Sequence, residues 1–241
     1  MKVIVTKNYE EMSQVAAEKF AEVLKERPSG VLGLATGDTP IGMYQNLIEM
    51  YRKGELDFSH VSSVNLDEYY PITPDNDQSY RYFMNHQLFD HVNIDKARTY
   101  VPDGTAEDAD AFCRAYEEKI DALGGVDVQV LGIGRNGHIG FNEPDGELIP
   151  FTHLTALTAS TIEANARFFA SEDDVPKHAL TMGVQSVFKA RRILLLASGE
   201  NKAEAVRAML NGNISTHLPA SLLRLHPDVT LICDEAAYSL V

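Results

Sequence analysis

Short apolar runs recur through the chain at residues 3–5, 31–35, 61–66, 126–131, 193–197 and 229–233, and these most constrain what it can become. Several are apolar almost throughout, with no polar alternation. A strand tolerates that pattern only when both of its faces are covered. Amphipathic stretches lie between most of the runs, so the period of the pattern switches back and forth along the chain. The alternation predicts an α/β protein: a mostly parallel sheet in a three-layer α/β/α arrangement.

With 241 residues, 44% of them hydrophobic and 23% charged, the chain is long enough to bury a sizeable core. No repeat, low-complexity tract or linker divides it, so residues 1–241 are expected to form one domain. Lys and Arg total 21 against 35 Asp and Glu, a net charge of −14 that repels nucleic acid and anionic lipid surfaces. No basic run offsets this. Cys113 and Cys233 lie far apart in apolar segments and make no CxxC pair, which argues against a disulfide framework or a zinc knuckle. The longest apolar runs fall well short of the roughly 20 residues a bilayer requires. The first residues also lack a signal-peptide core, so a cytoplasmic location is expected.

Thr39-Pro40 reads as a helix N-cap with Pro at the first helical position, and Thr105-Ala106-Glu107-Asp108 as a capping box with Asp in place of Glu. Gly124-Gly125 should stop the helix that follows the second cap. Between 141 and 176 the rhythm breaks at Pro144, Gly146 and Pro150, until residues 160–170 resume a helical pattern. So long an irregular stretch in a compact domain reads as a lid or binding loop.

Four strand exits carry groups able to do chemistry. Thr36, Gly37, Asp38 and Thr39 run from a buried strand into a helix, which is either an ordinary turn or an anion site built from backbone N–H groups. Lys202, placed by its spacing in the first turn of another helix, is disfavoured there by the helix dipole unless an anion shares the site. Asp67 and Glu68 follow the run at 61–66, and one of them is a candidate general base.

The stretch from Gly132 to Gly137 contains GxGxxG, yet the residues after it carry more breakers and open no helix, so a dinucleotide fingerprint is rejected. What remains is a glycine-rich loop bearing Asn136, His138 and Glu143, in which a carboxylate five residues beyond the histidine can orient it for acid–base work. The eight histidines show neither HxH nor HxxxH spacing, and no GxSxG elbow occurs. Neither a metal site nor a serine-hydrolase triad is expected. Tyr69, Tyr70, Tyr80, Tyr82 and Phe83 read as core or pocket wall.

Taken in order, Ala35-Thr36-Gly37-Asp38-Thr39-Pro40, Asn65-Leu66-Asp67-Glu68-Tyr69, the segment Gly132 to Pro144, Asn165-Ala166-Arg167-Phe168-Phe169 and Ser198-Gly199-Glu200-Asn201-Lys202 resemble the glucosamine-6-phosphate deaminase (glucosamine-6-phosphate isomerase) family. The histidine-containing segment is the most specific of these, and together they span most of the chain. The resemblance implies a modified Rossmann-like fold that converts glucosamine 6-phosphate and water to fructose 6-phosphate and ammonium, without metal or organic cofactor. It implies Asp67 as the base of enolisation and Asn136, His138 and Glu143 as the ring-opening group. The phosphate would be held by Thr36, Gly37, Asp38 and Thr39 with Arg167 and Lys202.

Two positions depart from the family pattern. Asn136 stands where many members carry Asp, which leaves it hydrogen bonding in place of charge. Asp38 stands where a small residue is usual, which should weaken phosphate affinity. Residues 146–155 carry no Arg or Lys, unlike the basic stretch of the allosteric members, so no activation by N-acetylglucosamine 6-phosphate through this stretch is expected. The nearest rivals are a 6-phosphogluconolactonase of the same fold and a non-catalytic sugar-phosphate sensor. The Asp67 segment and the full His138 segment argue against the first. Retention of Asp67, His138 and Glu143 together argues against the second, as does a start so close to the first strand that it leaves no room for a DNA-binding module.

Overall fold

The computed structural model describes residues 1–166, Phe169, Ser171 and 174–241. In chain order the elements are β1 (Lys2–Thr6), α1 (Tyr9–Glu26), β2 (Val31–Leu34), α2 (Ile41–Arg52), β3 (Ser62–Asn65), β4 (Asp67–Tyr70), α3 (Tyr80–Gln87), β5 (Thr99–Tyr100), α4 (Ala109–Ala122) and β6 (Val128–Gly132). They continue with β7 (His153–Ala156), α5 (Ala159–Ala166), β8 (His178–Thr181), α6 (Val184–Phe188), β9 (Arg192–Ala197), α7 (Ala203–Asn211), β10 (Val229–Asp234) and α8 (Glu235–Tyr238).

Seven strands form one sheet in the order β1-β10-β9-β6-β2-β3-β5, and every neighbouring pair is parallel. All six apolar runs of the sequence are strands of this sheet. Helices flank it, and its middle strands are buried almost throughout, as uninterrupted apolar runs require. Gln129 is one of the few polar residues buried there. It lies opposite Gly33, where any Cβ would fall 2.2 Å from its Oε1, so the glycine makes the room that the buried amide occupies.

From β2 the chain first builds outward through β3 and β5, and β6 then joins the other side of β2. The direction of winding therefore reverses between β2 and β6. In open parallel sheets, the crevice beyond the carboxyl ends of the strands at such a reversal is where ligands bind.

A second sheet, order β4-β8-β7, is antiparallel. The chain passes into it directly from β3 through buried Leu66, whose amide donates to Leu34 and whose carbonyl accepts from Met182. It has its own small core of Tyr69, Ile72, Phe141, Leu157 and Ala179, beside the main core that holds Met12, Phe20, Tyr44 and Phe58. Tyr80 packs on the small core and Phe83 on the main one, while Tyr82 is exposed, so the run of aromatics does not act as one cluster.

Several expectations are corrected. Residues 67–70 are a strand of the second sheet and not a loop beyond the first, and the irregular stretch after 141 contains a strand, β7. Pro40, not Thr39, occupies the N-cap of α2. Asp108, not Thr105, caps α4 by accepting from Ala111 N–H, because Thr105 Oγ1 is already bonded to Asp103. Gly124 and Gly125 do end α4, both at positive φ. Cys113 and Cys233 are buried free thiols, and among the described residues no helix is long and apolar enough to cross a membrane.

Candidate active site

Beyond β2 the chain turns through Thr36, Gly37, Asp38 and Thr39, with Gly37 at φ +90°, a conformation glycine adopts without strain. Two phenols hold the turn. Tyr44, fully buried on α2, donates to the Ala35 carbonyl at 2.6 Å and accepts from the Ala35 amide at 3.2 Å. Tyr9, at the start of α1, donates to the Asp38 carbonyl at 3.0 Å and accepts from the Gly42 amide at 2.8 Å. Among the described residues no acceptor pairs with the amides of Thr36, Gly37 or Thr39. A pinned turn with N–H groups left without an acceptor, just before a helix, can bind an anion.

Two strands away, β9 leads into Ser198 and Gly199. Asp234, at the end of β10, accepts from Ser198 Oγ at 2.5 Å and from the Gly199 amide at 3.1 Å. This fixes the approach to Lys202, which lies in the short turn Glu200–Lys202 that precedes α7, not in the first turn of the helix itself. Its Nζ reaches across to β6 and donates to the Ile133 carbonyl at 2.7 Å. Burial lowers the Lys202 pKa, and the nearby charge of Arg135 lowers it further. Two cations thus converge where β6 and β9 end. Sequence reading passed over Arg135, although a basic residue inside a glycine loop at a strand end was a usable signal.

The glycine-rich loop opens no helix at Gly137, in keeping with the rejection of a dinucleotide site. Gly134 donates to the His138 carbonyl at 2.9 Å, and a Cβ on Gly134 would lie 2.4 Å from the His138 ring, so the loop folds tightly around that imidazole. His138 Nδ1 is 3.3 Å from Glu143 Oε2, a charge contact and not an aligned hydrogen bond. Asn136 Nδ2 donates to the same oxygen at 2.8 Å, and Asn136 Oδ1 accepts from the His138 amide at 3.2 Å. Thr161 on α5 donates to Glu143 Oε1 at 2.7 Å, a contact with no sequence signal because it depends on how α5 packs. Burial on its own would raise the Glu143 pKa. The contacts with His138, Thr161 and Asn136 outweigh it and bring the value down to about 2.

Asp67 is treated in the opposite way. It is 6% exposed on β4, and among the described residues no hydrogen-bond donor reaches its carboxylate. Burial, seconded by the neighbouring charge of Glu68, pushes its pKa up to about 8. Glu68 points to the other face of the strand. There it accepts from the amides of Tyr69 and Tyr80 through Oε1 and of Arg81 through Oε2, at 2.8–2.9 Å. Burial still leaves it raised to about 7. The tethered Glu68 is structural, and the bare Asp67 is the carboxylate that can act as a base.

The ends of β9, β6, β2 and β3 are neighbours on one edge of a parallel sheet, so the loops carrying Lys202, His138 and Thr36, and the strand β4 carrying Asp67, leave from the same edge. Arg167 lies outside the described residues. No group of three or more potential metal ligands occurs among those that are described.

The sequence pattern of the family described as glucosamine-6-phosphate isomerases/6-phosphogluconolactonase matches residues 6–232. The chain belongs to this family. Among its members, a glucosamine-6-phosphate deaminase of Clostridium perfringens is 59% identical over all 241 residues of both chains. One from Thermoanaerobacter pseudethanolicus is 56% identical over the whole chain and 95% of its own length. The solved structure of a monomeric glucosamine-6-phosphate deaminase superposes with a TM-score of 0.97 at 51% identity, covering both chains completely. The 6-phosphogluconolactonase of Trypanosoma brucei aligns over 99% of this chain and 97% of its own, with a TM-score of 0.77 at 18% identity, a likeness of fold alone.

Proposed function

We propose that this protein converts glucosamine 6-phosphate and water to fructose 6-phosphate and ammonium in the cytoplasm, in the breakdown of amino sugars. The observation that carries the reading is a pair of oppositely tuned carboxylates at one sheet edge, beside a turn whose Thr36, Gly37 and Thr39 amides have no acceptor among the described residues. A buried bare Asp67 and a stabilised Glu143 that holds His138 are suited to two different proton transfers. The full-length deaminase relatives support the choice of substrate.

In this reading the Thr36 to Thr39 amides bind the phosphate together with Lys202 and Arg167, so that binding at the far end of the sugar orients its reacting carbons. The exposed Asp38 weakens that affinity without abolishing it. His138, with Nδ1 turned to Glu143, carries a proton from the C1 hydroxyl to the ring oxygen and opens the pyranose. Asn136 contributes by hydrogen bonding: it holds Glu143 and the His138 amide and carries no charge.

Asp67 then takes the proton from C2 of the open aldehyde and returns it at C1. This converts the amine-bearing C2 to an imine, which water hydrates, and ammonia leaves with its bonding pair. No electrons are exchanged with any partner, so the chemistry calls for no redox cofactor. Segment 141–176, whose Thr161 reaches Glu143, serves as the cover of the sugar. Residues 146–155 bear no Arg or Lys to hold an N-acetylglucosamine 6-phosphate activator.

The test is ammonium release from metal-free protein supplied with glucosamine 6-phosphate, with fructose 6-phosphate assayed in parallel and 6-phosphogluconolactone as the alternative substrate. Equal amounts of the two products are expected, with a hyperbolic substrate curve unmoved by added N-acetylglucosamine 6-phosphate. Lactone hydrolysis without ammonium release would refute the reading.

A further inference from the structure

Nothing in the reaction above uses Thr181, yet it lies against the base. The antiparallel register of β4 and β8 sets Thr181 directly opposite Asp67, so both side chains rise from one face of the small sheet. Thr181 is completely buried, and its Oγ1 accepts from the Phe141 amide at 3.2 Å. The Phe141 ring is held as well, 6.0 Å from Tyr69 and stacked 6.2 Å from Tyr80.

Gly140 stands between them at φ +56°. A Cβ built on it would lie 3.1 Å from Thr181 Oγ1, 3.5 Å from Asp67 Oδ2 and 3.6 Å from Asn142 Nδ2. Hydroxyl, base and loop therefore border one space about a single carbon wide. Asn142 Nδ2 already gives its protons to the carbonyls of Ile139 at 3.0 Å and Met182 at 2.8 Å, so its part there is structural.

We propose that Thr181 is a positioning residue for Asp67. By accepting from the Phe141 amide, its hydroxyl sets the Gly140 turn at the distance that keeps the space beside the base open to the reacting carbons. The proposal rests on the deaminase reading and extends it to a residue on a different strand. Thr181→Val keeps the shape of the side chain but leaves the buried Phe141 amide without an acceptor, and the turn then shifts relative to Asp67. Misplacement of reacting groups by an ångström costs up to about a hundredfold in rate.

The experiment compares steady-state ammonium release by wild type, Thr181→Val and Thr181→Ser, with thermal unfolding of each. For Thr181→Val a fall in kcat of about tenfold or more is expected, with KM for glucosamine 6-phosphate within about twofold because the phosphate turn is untouched. Thr181→Ser, which keeps the acceptor, should stay within about threefold of wild type. The proposal fails if Thr181→Val keeps kcat within about twofold, or if Thr181→Ser falls as far as Thr181→Val, since the hydroxyl would then not be the cause. It also fails if kcat and KM worsen together with loss of the folded state. Silence of the wild type would instead overturn the deaminase reading itself.

Discussion

Asp67 faces the Gly140 turn and Glu143 follows it in the chain, and their surroundings drive their pKa values in opposite directions. Asp67 is buried, has no donor among the described residues and rises to about 8, while Glu143, also partly buried, is held by His138, Thr161 and Asn136 and falls to about 2. The difference between them is a difference in hydrogen bonding. Burial pushes both carboxylates toward the neutral form, and only the one given donors resists. One carboxylate is kept reactive and the other is kept as a permanent charge behind an imidazole.

Removing the base is the severest way to break this contrast. Asp67→Asn should lower kcat by about 10²–10⁴-fold, the usual worth of a positioned proton-transfer group. The same change should stabilise the fold. The native Asp67 pKa of about 8 lies above its ordinary 3.8, so the folded state binds the extra proton and loses stability as pH rises across that window. Thermal scans near about pH 9 should therefore show the variant melting higher, by about 2–4 °C for each kcal/mol recovered. A variant that melts lower would mean that Asp67 is not a strained group.

Glu143→Gln tests the other member and should cost about 10–100-fold in kcat. Here the sign of the stability effect reverses. A native pKa of about 2 below the ordinary 4.5 stabilises the fold above pH 4.5, and that contribution is lost as pH falls toward 2. Acid unfolding curves of wild type and variant should converge at the acid end, and curves that stay parallel would refute the assignment.

A smaller effect separates the carboxylates from the phosphate end. Tyr9→Phe removes the bridge between the Asp38 carbonyl and the Gly42 amide. Loss of about 1 kcal/mol of hydrogen bonding corresponds to about a fivefold rise in KM, with kcat within about twofold, measured by steady-state kinetics and by inhibition with inorganic phosphate. A matching fall in kcat would show that the turn and the base are coupled.

The smallest effect sharpens the account of Asp67 itself. Glu68→Gln takes away the charge that ranks second to burial, so the acid limb of kcat/KM, expected near pH 8 in the wild type, should move to lower pH by less than about one unit. A limb that stays in place would leave burial as the whole cause.

The large sheet was legible in the sequence because parallel strands covered on both faces must be apolar along their length, and all six such runs are strands. The two-residue β5 is too short to carry a pattern. The small sheet was hidden for a different reason. Asp67-Glu68-Tyr69-Tyr70 places two carboxylates side by side, and residues 178–181 are too short and mixed to carry a pattern, so neither stretch announces a strand until the two pair. The strand-exit residues Thr36 to Thr39, Asp67, His138, Glu143 and Lys202 could be named because chemistry in this architecture gathers at strand ends. Thr161, Thr181 and Tyr9 could not, since each acts through a neighbour distant in the chain.

By itself the sequence determined the class of fold, the edge where the site lies and the residue types present there, because hydrophobic periodicity and glycine placement are local properties. Only the tertiary structure shows which of the two neighbouring carboxylates is tethered by donors and which is not. Asp67 and Glu68 are adjacent and nearly alike in the chain. The pleat sends one to face Thr181 and Gly140, with no donor among the described residues, and the other to the amides of Tyr69, Tyr80 and Arg81. Which oxygen is left bare depends on what packs against each face of the strand, and no local pattern of residues encodes that.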